Sequence, residues 1–148
     1  MSRRVHSPTG LFDTLHYGFA QVVVVPTPFG DTVHVSGQVA WDADRKIVGV
    51  GDIARQLRKS LENLAVALAS VGATLDQVGA LRLYIKQSHM HEGAAIGGVL
   101  REVFDDNPPC ATWIGVQNLA NEEFLVEVEP SVVYLAKVAR SSAKQTSN

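Results

Sequence analysis

A single cysteine, Cys110, stands in the 148 residues of the chain. This excludes an internal disulfide framework and a cysteine-rich metal centre, and it fits a reducing compartment such as the cytoplasm. Charge of one sign is also lacking: 13 Lys and Arg against 15 Asp and Glu leave a formal charge of −2. The cations are scattered and give no electrostatic footprint for nucleic acid. Long apolar runs are missing too. The longest near the start is residues 22–25, far short of the roughly 20 residues that span a bilayer. Arg3 and Arg4 are followed by no apolar segment, so neither a signal peptide nor a membrane partner is expected. Neither a Gly-rich phosphate loop nor a Gly-x-Ser-x-Gly nucleophile elbow occurs.

What remains is an ordinary globular composition, 46% hydrophobic, long enough for one domain with one core. The expected domain is residues 1–138. The Ser/Lys/Gln/Asn tail, 139–148, is expected to be disordered. Residues 1–16 read as a loop or short edge segment. Residues 19–25 are apolar and β-branched and predict a strand. The turn Pro26-Thr27-Pro28-Phe29-Gly30-Asp31 follows. Residues 32–38 alternate, with Val33 and Val35 on one face and His34 on the other, as in a half-buried strand paired to the first. Residues 47–50 suit a short return strand.

The clearest helix follows. Asp52 is a suitable N-cap. Ile53, Leu57, Leu61, Leu64, Leu68 and Val71 recur at spacings of three and four, and Gly72 fits a left-handed helix end. Residues 81–86 alternate as a strand. Ser88 is placed to cap a second helix with Ile96, Val99, Leu100, Val103 and Phe104 inward. Gly93, Gly97 and Gly98 each weaken that helix by roughly 1 kcal/mol relative to Ala. Pro108-Pro109 ends it. Strands at 111–117 and 124–134 complete the domain, with an edge, bulge or bend expected at Pro130. The order predicts an α+β fold, two helices packed on one face of a mixed sheet. The second face keeps Val, Leu and Ile, which argues for an oligomer covering it.

Several elements in this order resemble the Rid/YjgF family, also called endoribonuclease L-PSP. They are Phe19-Ala20-Gln21-Val22, Ser36-Gly37-Gln38, Leu61-Glu62-Asn63-Leu64, Gly72-Ala73-Thr74-Leu75-Asp76-Gln77-Val78 and Val126-Glu127-Val128-Glu129. Together they span roughly residues 16–135. The resemblance implies a chorismate-mutase-like fold (bacillus type) that assembles as a homotrimer, with small-molecule ligands in clefts between subunits. It implies hydrolysis of enamines and imines to keto acids and ammonia without metal or organic cofactor. An arginine holds the substrate carboxylate, and a glutamate, here Glu127, serves the attacking water.

The chain departs from the family stretch P-A-R-S-x-V, which here reads Pro109-Cys110-Ala111-Thr112-Trp113-Ile114. The arginine position is Ala111, and the small residues after it become Thr112 and Trp113. The early pocket tyrosine is Phe19, and an asparagine common on the second helix falls on Gly97. A bidentate Arg–carboxylate pair is strong and geometrically specific. Without it, a carboxylate moved into a cleft costs several kcal/mol. The expected ligand is therefore neutral, or larger and more apolar than a small 2-imino acid. Phe19, Gly37, Ala111, Thr112 and Trp113 are the expected substrate-binding positions, and Glu127 the expected catalytic one.

Each has a plainer alternative. Glu127 is either a general base or a strand carboxylate paired with Arg82 or Lys86. Glu129, on the same face, is expected to be solvated or ion-paired. Gly37 admits either a ligand or a β-bulge. Thr112 either meets a ligand or bonds across strands. Trp113 is expected in core or interface, and Cys110 as a buried small residue. His89 and His91, two apart on a helix, do not share a face for a metal. Beside the hydrolytic reading stands a non-catalytic trimer that binds a small molecule or a partner. A ribonuclease is suggested by the family label alone, and the charge balance opposes it.

Overall fold

The structure, a computed structural model, describes residues 2–136; the tail at 139–148 lies outside them. Eight main elements occur: β1 (Arg4–His6), β2 (Val22–Pro26), β3 (Gly30–Val35), α1 (Ile53–Ala69), β4 (Val78–Lys86), α2 (Gly93–Phe104), β5 (Cys110–Val116) and β6 (Val126–Ala136). The strands form one six-stranded sheet in the order β1-β2-β3-β6-β4-β5. Only β4 and β5 run parallel, joined through α2; the other neighbours are antiparallel. The mixed α+β sheet with two helices is as expected from the sequence pattern. No helix among the described residues is long and apolar enough to cross a membrane.

The apolar stripe of α1 drives the packing. Ile53, Leu57, Leu61, Leu64 and Leu68 are buried against Leu81, Leu83 and Ile85 of β4, Val126 and Val128 of β6, and Ile96 and Val99 of α2. Asp52 caps α1, its carboxylate accepting from Arg55 N–H at 2.9 Å. Gly72, at φ 76°, turns the chain away beyond the helix end. Because side chains alternate along a strand, the burial of Leu83 and Val128 leaves Arg82, Tyr84, Glu127 and Glu129 on the other face of the sheet. Val132 and Tyr134 are exposed.

Several boundaries differ from the sequence reading, each for a local reason. The segment expected as loop or edge carries the short strand β1, paired with Val22, Val23 and Val24. β2 begins at Val22 because Gln21 turns inward, donating its amide to Phe12 C=O at 3.1 Å. β3 ends at Val35: Gln38 leaves the β2 side and forms an isolated bridge with Val128, its N–H donating to Val128 C=O at 2.8 Å. Residues 47–50 give one bridge, Ile47 to Trp41, rather than a strand. Ser88 does not cap α2. It lies in a 3-10 segment, Gln87–Glu92, where its hydroxyl meets His89 Nδ1 at 2.8 Å, and α2 starts at Gly93 without a side-chain cap. The irregularity expected at Pro130 is a register shift: Leu81 faces Pro130 but Ala80 faces Val132. β6 tolerates the proline in mid-sheet because β3 pairs only with Tyr134, Leu135 and Ala136.

Candidate functional site

The residues that leave the sheet after β3 and before β6 are tied to the polar side of α1. Asn63, buried, donates from one amide to Val39 C=O at 2.9 Å and Trp41 C=O at 2.7 Å. Gln56, also buried, donates to Gly49 C=O and Glu123 C=O and accepts from Leu125 N–H at 2.9 Å. A buried amide that satisfies backbone groups in this way fixes a loop that has no ladder of its own. The two residues thereby fix Trp41 and Phe124.

Between these loops lies a cavity of about 500 Å³. Five aromatic side chains line it: Phe12, Tyr17, Phe19, Trp41 and Phe124. Trp41 meets Phe12 and Phe124 edge-to-face, with centroids 5.2 and 5.1 Å apart, the arrangement that ring quadrupoles favour. Ser36, Gly37, Val39 and Ala120 complete the wall, with Arg45 and Glu127 as its charged residues.

Glu127 is half-buried on β6, opposite Tyr84 of β4. It makes no hydrogen bond or ion pair among the described residues. The partners that would have made it an ordinary strand carboxylate are engaged elsewhere. Arg82 pairs with Glu129 at 3.3 Å, Tyr84 Oη donates to Glu129 at 2.7 Å, and Lys86 Nζ donates to Glu122 C=O at 2.6 Å. Burial, and then the nearby negative charge of Glu129, hold the Glu127 carboxyl above its ordinary value. Two adjacent carboxylates on one face thus differ in kind: Glu129 is ion-paired, and Glu127 is bare against an aromatic cavity.

Of the sequence-predicted positions, Phe19, Gly37 and Glu127 come together on this wall. Ala111, Thr112 and Trp113 do not line it. They lie on β5, separated from β6 by β4, with Thr112 facing Arg82 and Trp113 facing Leu83 in the register. Trp113 sits beside the start of α2, where a Cβ on Gly93 would lie 3.6 Å from its ring. Cys110, expected to be buried, is exposed, because β5 is the edge strand of the sheet. His89 and His91 stack with ring centroids 6.4 Å apart, and no cluster suited to a metal occurs among the described residues.

The sequence reading missed Phe12, Tyr17, Trp41, Arg45 and Phe124. They come from three connections, those before β2, between β3 and α1, and before β6, with no shared period. The signal available was the run of aromatics before β2, where Phe12 and Tyr17 stand within seven residues of Phe19.

The endoribonuclease L-PSP family model matches residues 16–134. The chain belongs to this family. Among solved structures, this L-PSP protein superposes on protein YjgH with a TM-score of 0.77 at 24% identity, covering 93% of this chain and all of the other. It superposes on a conserved Rid-family protein of Yersinia pestis, YyfB, with a TM-score of 0.64 at 33% identity, again covering 93% of this chain and all of that one. The fold and the Rid/YjgF membership expected from the motifs are thereby established. A 2-iminobutanoate/2-iminopropanoate deaminase of Dermatophagoides farinae is 26% identical over 104 residues, which is 70% of this chain and 79% of that one.

Proposed function

We propose that the protein hydrolyses the C=N bond of an imine, or of the imine tautomer of an enamine, with Glu127 activating the water. The observation that carries this is the unpaired, half-buried Glu127 carboxylate on the wall of the aromatic cavity. Its raised proton affinity suits a general base. Glu127 takes a proton from water as the oxygen adds to the C=N carbon. Glu127 returns that proton to nitrogen, giving a carbinolamine. It then takes the proton of the new hydroxyl and delivers it to the amino group as the C=O bond forms and the C–N bond breaks, so that a carbonyl product and ammonia leave. The deaminase relative supports this class of reaction.

The substrate is larger and more apolar than 2-iminopropionate. The cavity is lined mainly by aromatic rings, and Ala111 stands where the family stretch has its arginine. The working unit is a homotrimer in which a neighbouring copy closes each cavity. Support comes from rim residues Tyr17 and Phe19, each 49% exposed, and from the exposed edge strand β5 with Ala111, Thr112 and Trp113.

The test is ammonia release from imines generated in situ from alanine and from phenylalanine by an amino-acid oxidase. The wild type is expected to favour the phenylalanine-derived imine, and Ala111→Arg to improve turnover of 2-iminopropionate. Robust wild-type turnover of 2-iminopropionate would overturn the specificity reading. No acceleration of either imine would overturn the hydrolytic one.

A further inference from the structure

Among the described residues that line the cavity, Arg45 is the only cation and Glu127 the only anion, and they are not paired with each other. Arg45 is held in place by its turn. Asp42 Oδ1 accepts from Asp44 N–H at 3.0 Å and Lys46 N–H at 2.8 Å, Arg45 N–H donates to Asp42 C=O at 3.1 Å, and Asp42 N–H donates to Lys46 C=O at 2.9 Å. This closed turn keeps Arg45 at φ 65°, a conformation disfavoured for any residue with a Cβ.

The side chain lies over three rings of the cavity wall. Its guanidinium carbon is 5.3 Å from the Phe12 centroid and 5.2 Å from those of Tyr17 and Trp41, within cation–π range. Nη1 donates to Tyr17 Oη. No other side-chain donor of Arg45 has a protein acceptor among the described residues, and no carboxylate there neutralises it. A guanidinium carries five N–H donors in a planar fork matched to a carboxylate. Stacking on rings takes up its faces and leaves donors at its edge.

We infer that Arg45 is the anion-recognising residue of this cavity. The ligand carries a carboxylate that pairs with Arg45 and an apolar, ring-bearing body that lies against Trp41 and Phe124. The cation absent at Ala111 is thus supplied from a different element, the turn between β3 and α1. This inference rests on the cavity being the ligand site, as in the proposed function, and it specifies the class of substrate: an aromatic or similarly bulky carboxylate.

The test is calorimetric binding of phenylacetate and of its neutral isostere phenylacetamide to the full chain. The wild type is expected to bind the acid about tenfold more tightly than the amide, as one charge-assisted contact allows. Arg45→Met, which keeps an apolar stem over the rings, removes that preference. Arg45→Lys retains part of it, and Glu127→Gln leaves it in place or strengthens it. Raising the salt concentration weakens the acid and spares the amide, a check that needs no variant. Equal affinity for acid and amide in the wild type, absence of acid binding, or an undiminished preference in folded Arg45→Met would each overturn the inference. A protein that binds phenylacetate through Arg45 yet hydrolyses no imine keeps this inference and loses the hydrolytic one. A protein that hydrolyses the phenylalanine-derived imine equally well in wild type and Arg45→Met does the reverse.

Discussion

Gly37 and Glu127 occupy each other's space: a Cβ on Gly37 would stand 2.8 Å from Glu127 Cδ and 3.1 Å from its Cγ. The carboxylate sits where any other residue would put its side chain. The smallness of Gly37 lets Glu127 reach the cavity. The obstacle is the end of a flexible side chain, and Gly37 lies outside the positive-φ glycines. Gly37→Ala is accordingly expected to displace the carboxylate without breaking the fold. Stability by urea titration should change by less than about 1 kcal/mol, while imine hydrolysis falls at least about tenfold. Unchanged hydrolysis would show that the position of the carboxylate is immaterial.

The pH profile should report the same carboxylate. Glu127 works as a base only when ionised, and burial together with the charge of Glu129 raises its proton affinity. The acidic limb of kcat/KM is expected above the ordinary glutamate value of 4.5. Glu129→Gln removes the neighbouring negative charge and frees Arg82, and both effects favour the ionised form of Glu127. The limb should move to lower pH in that variant. A shift to higher pH would contradict the assignment.

Stability follows with the opposite sign to that of an ion-paired carboxylate. A group whose folded-state value is raised contributes stability fully below its unfolded value and loses it as pH rises through the folded one. Glu127 thus costs stability once pH exceeds its raised value, and Glu127→Gln removes that cost. Thermal unfolding is expected to show a higher Tm for Glu127→Gln at neutral pH, by a few degrees or less given its partial exposure. The difference should close as pH falls to the ordinary carboxylate value of 4.5. A lower Tm at neutral pH would mean that the carboxylate holds structure together.

Gln56 should matter for stability far beyond its size. Its side-chain amide satisfies Gly49 C=O, Glu123 C=O and Leu125 N–H in a buried setting. Gln56→Ala leaves those groups unpaired around a void and is expected to cost about 2–5 kcal/mol by denaturant titration. Phe124 should loosen with it, visible as faster amide exchange at residues 123–125.

The fold was largely legible because its strongest elements are local. The leucine stripe and Asp52 cap of α1 specify that helix without help, and the alternation in β4 reflects a strand with one face in the core. Glu127 and Gly37 were legible through the motifs that carry them. The cavity was not. Asn63 and Gln56 hold the loops of Trp41 and Phe124 across 22 to 69 residues of chain, Gln21 holds Phe12 through its C=O, and no periodicity marks such contacts. Nothing in the sequence around Arg45 marks it. Its role follows from three rings, two of which, Phe12 and Tyr17, come from another segment. Cys110 read as buried because an apolar strand does not say whether it lies at the edge or in the centre of its sheet.

The most direct measurement is the rate of ammonia release from the phenylalanine-derived imine by wild type and Glu127→Gln at neutral pH, each against spontaneous hydrolysis. The expected result is clear acceleration by the wild type and a loss of at least about a hundredfold in the folded variant. Equal rates for the two proteins would contradict a catalytic role for Glu127.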